Sequence, residues 1–229
     1  MNFKRVLISL WLAALALTVA ASVAQGATPE GDYNPPGTAT FTSGESRLSL
    51  ADGTTISCES GSGSGEATSK TTGTASYILH GCHENATIFK FKCTSEGQPS
   101  GTIKLATVVT HAVYLDEAHT KPGALATPPA GGVFAKFTCA GGFASVEVKG
   151  NGILGEVTSP KCGESSSVGT GQTTTKSHGV QAIQQVEETG TVYNLEASLG
   201  GKAFQSAGTD WSVTGTANQK PTFTCPEQK

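Results

Sequence analysis

Apolar and polar side chains alternate with a period of two along most of this chain, the pattern that sends successive side chains to opposite faces of a strand. Over 87–94, Phe89, Phe91 and Cys93 share one face and Lys90 and Lys92 the other. Over 102–115, Ile103, Leu105, Val109, Val113 and Leu115 fall on one side; the stretch is long for one strand and is expected to bend or bulge. Val133, Ala135, Phe137 and Cys139 alternate in the same way, as do Tyr193, Leu195, Ala197 and Leu199, and then Trp211 and Val213. No segment beyond the N-terminal apolar run carries a capped helical stripe; residues 182–188 fit a short helix or a strand. The pattern predicts an all-β, antiparallel sandwich or barrel-like fold of ten or more short strands.

Turn chemistry separates these runs. Asp52-Gly53 predicts a hairpin between 48–50 and 55–57, and Asn151-Gly152 is a second candidate. Gly61-Ser62-Gly63-Ser64-Gly65 reads as a Gly/Ser loop, and Pro128-Pro129 with Gly131-Gly132 as a longer connection. Residues 159–177 form the most polar stretch and read as a mobile loop or a junction.

The N-terminus changes the compartment. Lys4 and Arg5 precede an apolar run over 6–21, and Ser22-Val23-Ala24 supplies the small residues of a cleavage site, so 1–24 is expected to be a signal peptide. Residues 25–37 then read as a flexible lead-in and 38–229 as one β domain, with no further stretch long enough to span a membrane. Of 15 basic residues, two leave with the signal, and 13 remain against 18 acidic ones. Arg47 is then the lone arginine. Nucleic-acid binding needs clustered cations, which this chain lacks.

The hydrophobic fraction is modest at 37%, so the core is expected to need covalent support. Cys58, Cys82, Cys93, Cys139, Cys162 and Cys225 provide it; in an exported chain six cysteines read as three disulfides. Phe91-Lys92-Cys93, Phe137-Thr138-Cys139 and Phe223-Thr224-Cys225 each place an aromatic ring and a cysteine on one strand face. The expected pairs are Cys82–Cys93, closing a short local loop, then Cys58–Cys139 and Cys162–Cys225.

Gly81-Cys82, Cys93-Thr94-Ser95 with Gly97, and Phe134-Ala135-Lys136-Phe137-Thr138-Cys139 together resemble a group of secreted, Gly/Thr-rich actinobacterial proteins of uncharacterised function. The resemblance covers roughly 50–155. It implies export and β structure and no activity.

Candidate chemistry is sparse. His80-Gly81-Cys82-His83-Glu84 is the densest group of potential metal ligands, but oxidation of Cys82 competes with a zinc thiolate, so no metal or other cofactor is expected. Asp116-Glu117-Ala118-His119 could form an acid/base pair, and reads rather as a solvated turn. His111 falls on an apolar strand face as a hydrogen-bonded residue rather than a ligand. No nucleophile elbow and no phosphate-cradling loop occurs, and Asn85-Ala86-Thr87 is formally a glycosylation sequon. No catalytic residue is assigned. The expectation is a secreted, non-enzymatic envelope or extracellular protein that binds or builds surface structure, with cell-wall polysaccharide or another envelope protein as partner. Two alternatives stand beside it: a carbohydrate-binding module stacking sugars on Trp211, Tyr33, Tyr77, Tyr114 or Tyr193, and a hydrolase or metal-dependent enzyme built on Asp116, Glu117 and His119 or on His80 and His83.

Overall fold

The computed structural model describes residues 37–85, 90–186 and 190–222. In chain order its strands are β1 (Thr38–Leu50), β2 (Thr55–Cys58), β3 (Ser60–Ala67), β4 (Thr72–His80), β5 (His83–Asn85), β6 (Lys90–Thr94), β7 (Ile103–Lys104), β8 (Val108–Tyr114) and β9 (Pro122–Thr127). They continue as β10 (Val133–Cys139), β11 (Ala144–Gly150), β12 (Ile153–Ser159), β13 (Val168–Thr173), β14 (Thr175–Lys176), β15 (Val180–Gln181), β16 (Leu195–Leu199) and β17 (Gln205–Ala217). The fold is all-β, and fifteen of these strands form one antiparallel sheet.

That sheet closes twice. A first ring runs β1-β3-β4-β8-β9-β12-β13-β17 and returns to β1. A second runs β1-β2-β5-β6-β10-β11-β16-β17 and likewise returns to β1. Only the long strands β1 and β17 belong to both, pairing along their whole length, so two eight-stranded barrels are joined end to end through one strand pair. Closure leaves neither barrel with an unpaired edge among these strands. A bulge between Ser43 and Ser46 re-phases β1 at the junction. Before it the odd-numbered Ala39, Phe41 and Ser43 point inward; after it the even-numbered Ser46, Leu48 and Leu50 do.

The chain visits the barrels alternately, and this overturns several local expectations. Asn151-Gly152 joins β11 of the second barrel to β12 of the first, and is a crossing rather than a hairpin. Asp52-Gly53 does close the expected hairpin, with Thr54 N–H donating to Asp52 Oδ1 at 2.9 Å. The expected Gly/Ser loop is β3, a wall strand of the first barrel, with Gly61, Gly63, Gly65 and Ala67 inward and Ser60, Ser62, Ser64 and Glu66 outward. The expected mobile loop 159–177 contains β13, another wall strand. The 102–115 stretch breaks into β7 and β8; Val108 and Thr110 line the first barrel, and Val109 faces out. In 182–186, Ile183 and Val186 join Val113, Leu125, Leu154 and Tyr193 in a cluster on the outer side of β8, β9 and β12.

The second barrel is filled. Its core holds Leu50, Ile56, Phe137, Val146, Val148, Leu195 and Ala197 together with Cys58, Cys82, Cys93 and Cys139. The bridges are Cys58–Cys82 and Cys93–Cys139, correcting both the expected Cys82–Cys93 and Cys58–Cys139 pairs. Strand order explains this. Across β2-β5-β6-β10 the cysteines follow one another as 58, 82, 93, 139, so Cys58 and Cys139 are three strand steps apart around the wall, beyond the reach of a disulfide. Cys93 lies directly opposite Cys139, with the Cα atoms 4.0 Å apart, whereas Cys93 and Cys82 are joined by their backbones, N–H to carbonyl at 2.9 Å. Cys162 is also disulfide-bonded; its expected partner Cys225, like Phe89, Phe223 and the whole of 1–36, lies outside the described residues. Phe91 was expected beside Cys93 in the core, but it is 38% exposed. β6 meets β10 only at Cys93 and Thr94, so Phe91 projects past that neighbour.

Candidate functional site

Small residues at inward positions leave the first barrel hollow. Phe41 on β1 lies directly across from Gly63 on one side and Gly215 on the other, and Gly215 faces Gly169 on β13. The next row is Ala75, Gly65, Ala39 and Ala217. The opposite wall presents Ala124, Ala126 and Gly155. An eight-stranded barrel has an interior that ordinary side chains just fill, or that holds one small ligand when they do not. Here a cavity of about 380 Å³ remains, with wall residues from all eight strands.

One end is closed by large side chains. The Tyr77 ring covers Gly61 and Gly63, where an added Cβ would stand 2.4 and 2.5 Å from its ring carbons. Trp211 meets Tyr77 edge to face at a centroid distance of 4.6 Å, and Leu105 and Phe134 complete this floor against the second barrel's core. Tyr77 Oη, Ser43 Oγ and Trp211 Nε1 are buried there without hydrogen-bond partners. Burial pushes the Tyr77 phenol above its ordinary value, so the ring stays neutral. The other end is rimmed by Ser159, Pro160, Ser166, Ser167, Gln219 and Pro221, which follow or precede the strand ends. The lumen is thus walled mainly by ring and aliphatic carbon at its floor, where those three polar atoms are buried, and by polar side chains with Pro160 and Pro221 at its mouth.

The outer face of β1, β3, β4 and β17 has the opposite character. Thr38, Thr40, Thr42, Ser62, Ser64, Thr74, Ser76, Ser212, Thr214 and Thr216 point to solvent. A barrel that spans a bilayer is apolar outside and polar inside; these four strands are the inverse. No helix of the described residues is long and apolar enough to cross a membrane.

The candidates for catalysis sit near the mouth, in the β8–β9 turn, but face away from one another. Asp116 accepts from Thr120 N–H at 2.8 Å, Lys121 N–H at 2.7 Å and the Thr120 hydroxyl. The His119 ring instead stacks on Tyr114, with centroids 4.5 Å apart, and Glu117 is exposed. Asp116 is therefore a turn cap. Burial would raise its carboxyl, and the hydrogen bonds from Thr120 and Lys121 outweigh that and hold it below the ordinary carboxylate value. A depressed folded-state pKa gives stability that is complete above the unfolded value and lost as pH falls through the folded one. Asp116→Asn is expected to flatten the fall in thermal midpoint below about pH 4; an acid limb identical to wild type would refute the capping role.

The remaining candidates are placed as follows. Cys82 is bridged to Cys58, His80 ends β4 exposed, and His83 Nδ1 lies 3.0 Å from the Gly81 carbonyl. Among the described residues no group of three His, Cys, Asp or Glu could hold a metal ion. His111 is half-buried, and desolvation lowers its pKa. Asn85 donates to Ser57 Oγ at 2.9 Å, while Ala86 and Thr87 lie outside the described residues. Tyr77, Tyr114 and Tyr193 are 6%, 4% and 9% exposed, so they offer no surface platform for a sugar, and Tyr33 lies outside the described residues. The lumen itself escaped sequence reasoning. The one available signal was that Gly and Ala recur at alternate positions of β3, β13 and the end of β17. No protein-family model, curated protein or solved structure matches this chain, so the functional reading rests on the geometry of the lumen.

Proposed function

We propose that this is a secreted, non-enzymatic binding protein that holds one apolar small molecule inside its first barrel, while the second, disulfide-linked barrel serves as the rigid base. The observation that carries this reading is the contrast between the interiors. Both rings have eight strands, yet the second is packed with aliphatic, aromatic and cystine side chains and the first encloses about 380 Å³ bounded mainly by Gly, Ala, Val and aromatic carbon. An apolar cavity forgoes the dispersion contacts its lining would otherwise make. It lies within the size range of small-molecule sites. Export and the bridged cysteines fit a carrier or scavenger working outside the cell.

Trp211, which lines the floor, is the sole tryptophan beyond the expected signal peptide. Titrating the oxidised protein with an environment-sensitive apolar dye should give saturable one-to-one binding and a shift in Trp211 emission. Saturable quenching by soluble oligosaccharides, with no response to apolar dyes, would favour the carbohydrate-binding reading instead. Asp116→Ala and His119→Ala variants should bind the dye as wild type does.

A further inference from the structure

The lumen has a shape as well as a polarity, and both bear on what it takes. We infer, resting on the reading of the lumen as a ligand site, that the ligand is a single-chain aliphatic amphiphile held tail inward, and that Phe41 sets the tail length accepted.

Three observations converge. The first is the gradient along the barrel. The floor is built of Tyr77, Trp211, Leu105 and Phe134, and the mouth carries Ser159, Ser166, Ser167 and Gln219. A molecule polar at one end and apolar at the other leaves fewest mismatches with its head at the mouth. Charges of both signs flank that mouth, with Lys121 and Lys161 beside Asp116 and Glu164, so the head needs polarity and no particular charge. The second is capacity. At about 30 Å³ for an atom of water's size, the cavity accommodates on the order of a dozen heavy atoms. This suits one chain rather than two.

The third is Phe41. It is the large inward residue between Gly63 and Gly215, with Tyr77 the other large side chain of the row, beyond Gly63. Its ring occupies the space those strands would otherwise fill: a Cβ on Gly65 would stand 2.9 Å from Phe41 Cε2, and one on Gly215 3.1 Å from Cδ1. β1 and β9 are opposite one another in the ring, so Phe41 stands on the wall facing the one that carries Ala124 and Ala126, its ring against Gly65 and Gly215. The phenyl group takes up lumen width at this level. A flexible methylene chain can bend past such a group, and a fused-ring body cannot.

The test displaces a lumen-bound apolar dye with straight-chain fatty acids and alcohols of increasing length, and with a rigid polycyclic alcohol of similar carbon number. Wild type should tighten by about fourfold per added methylene, reach an optimum, and then lose affinity. Phe41→Ala should move the optimum to longer chains and admit the polycyclic alcohol; Phe41→Leu, which keeps more of the packing, should move it by a smaller step. Tighter binding of the polycyclic compound by wild type, or an optimum unmoved in a folded Phe41 variant, would overturn the inference and leave the lumen as a site for another apolar class. Failure of wild type to bind the dye at all would instead remove the lumen reading itself.

Discussion

Replacing Cys93 and Cys139 together by alanine is expected to lower the unfolding free energy by about 4 kcal/mol, through release of a loop whose ends are 46 residues apart. The Cys58–Cys82 bridge closes a shorter loop, 24 residues in separation, and its removal should cost about 3.5 kcal/mol. Both losses are large against the ~5–15 kcal/mol that stabilise a typical domain. The second barrel is assembled from β2, β5, β6, β10, β11 and β16, pieces scattered along the chain between visits to the first, plus β1 and β17. Closing it costs the entropy of many long loops, and its bridges tie β2 to the approach of β5 and β6 to β10 independently of β17, which completes both rings. Denaturant titration of the double variants gives the magnitude, and peptide mapping without reduction gives the pairs. A mapped Cys58–Cys139 peptide would contradict the strand order itself, since those residues are three strand steps apart, and a Cys82–Cys93 peptide would overturn both pairs.

The second large effect separates a hollow barrel from a filled one. Ala126 lines the lumen on the wall opposite β1, so Ala126→Phe should occupy the ligand's space and weaken dye binding by about a hundredfold, taking roughly 0.3–0.5 kcal/mol for each of the six or so atoms excluded. The fold should tolerate it. A phenyl group entering an unfilled apolar space gains contacts and buries surface, and the thermal midpoint should not fall. The same change at Ala197, which is fully buried in the second barrel, should destabilise by about 1–3 kcal/mol through overpacking. Equal destabilisation at both sites would mean that the first barrel has no room to spare, and the binding reading would fall with it.

Much of this was legible from local chemistry. Period-two alternation identified β10, β16 and the end of β17 because each buries one conventional apolar face, as Ala135, Phe137 and Cys139 do. Asp52-Gly53 announced its hairpin because a two-residue turn needs that backbone freedom. The same reasoning failed at β3. Glycine scores as a turn former and serine as polar, so a Ser/Gly alternation resembles a loop, although here glycine is the inward member and serine the outward one. Asn151-Gly152 misled for a related reason. Its turn propensity is real, but each flanking strand finds its partners in a different barrel.

Residue order by itself determined the all-β class, the alternation of faces and the supply of cysteines for bridging, since each depends on composition or on neighbours a few positions apart. Only the tertiary structure decided which strands share a ring, which cysteines meet and which barrel stays hollow. Those outcomes depend on pairings such as β1 with β17, whose partners stand at opposite ends of the described chain. Cys58 faces Cys82 because two crossings place them on adjacent strands. The lumen exists because small residues from eight separate segments converge on one interior, a coincidence in space that no single segment records.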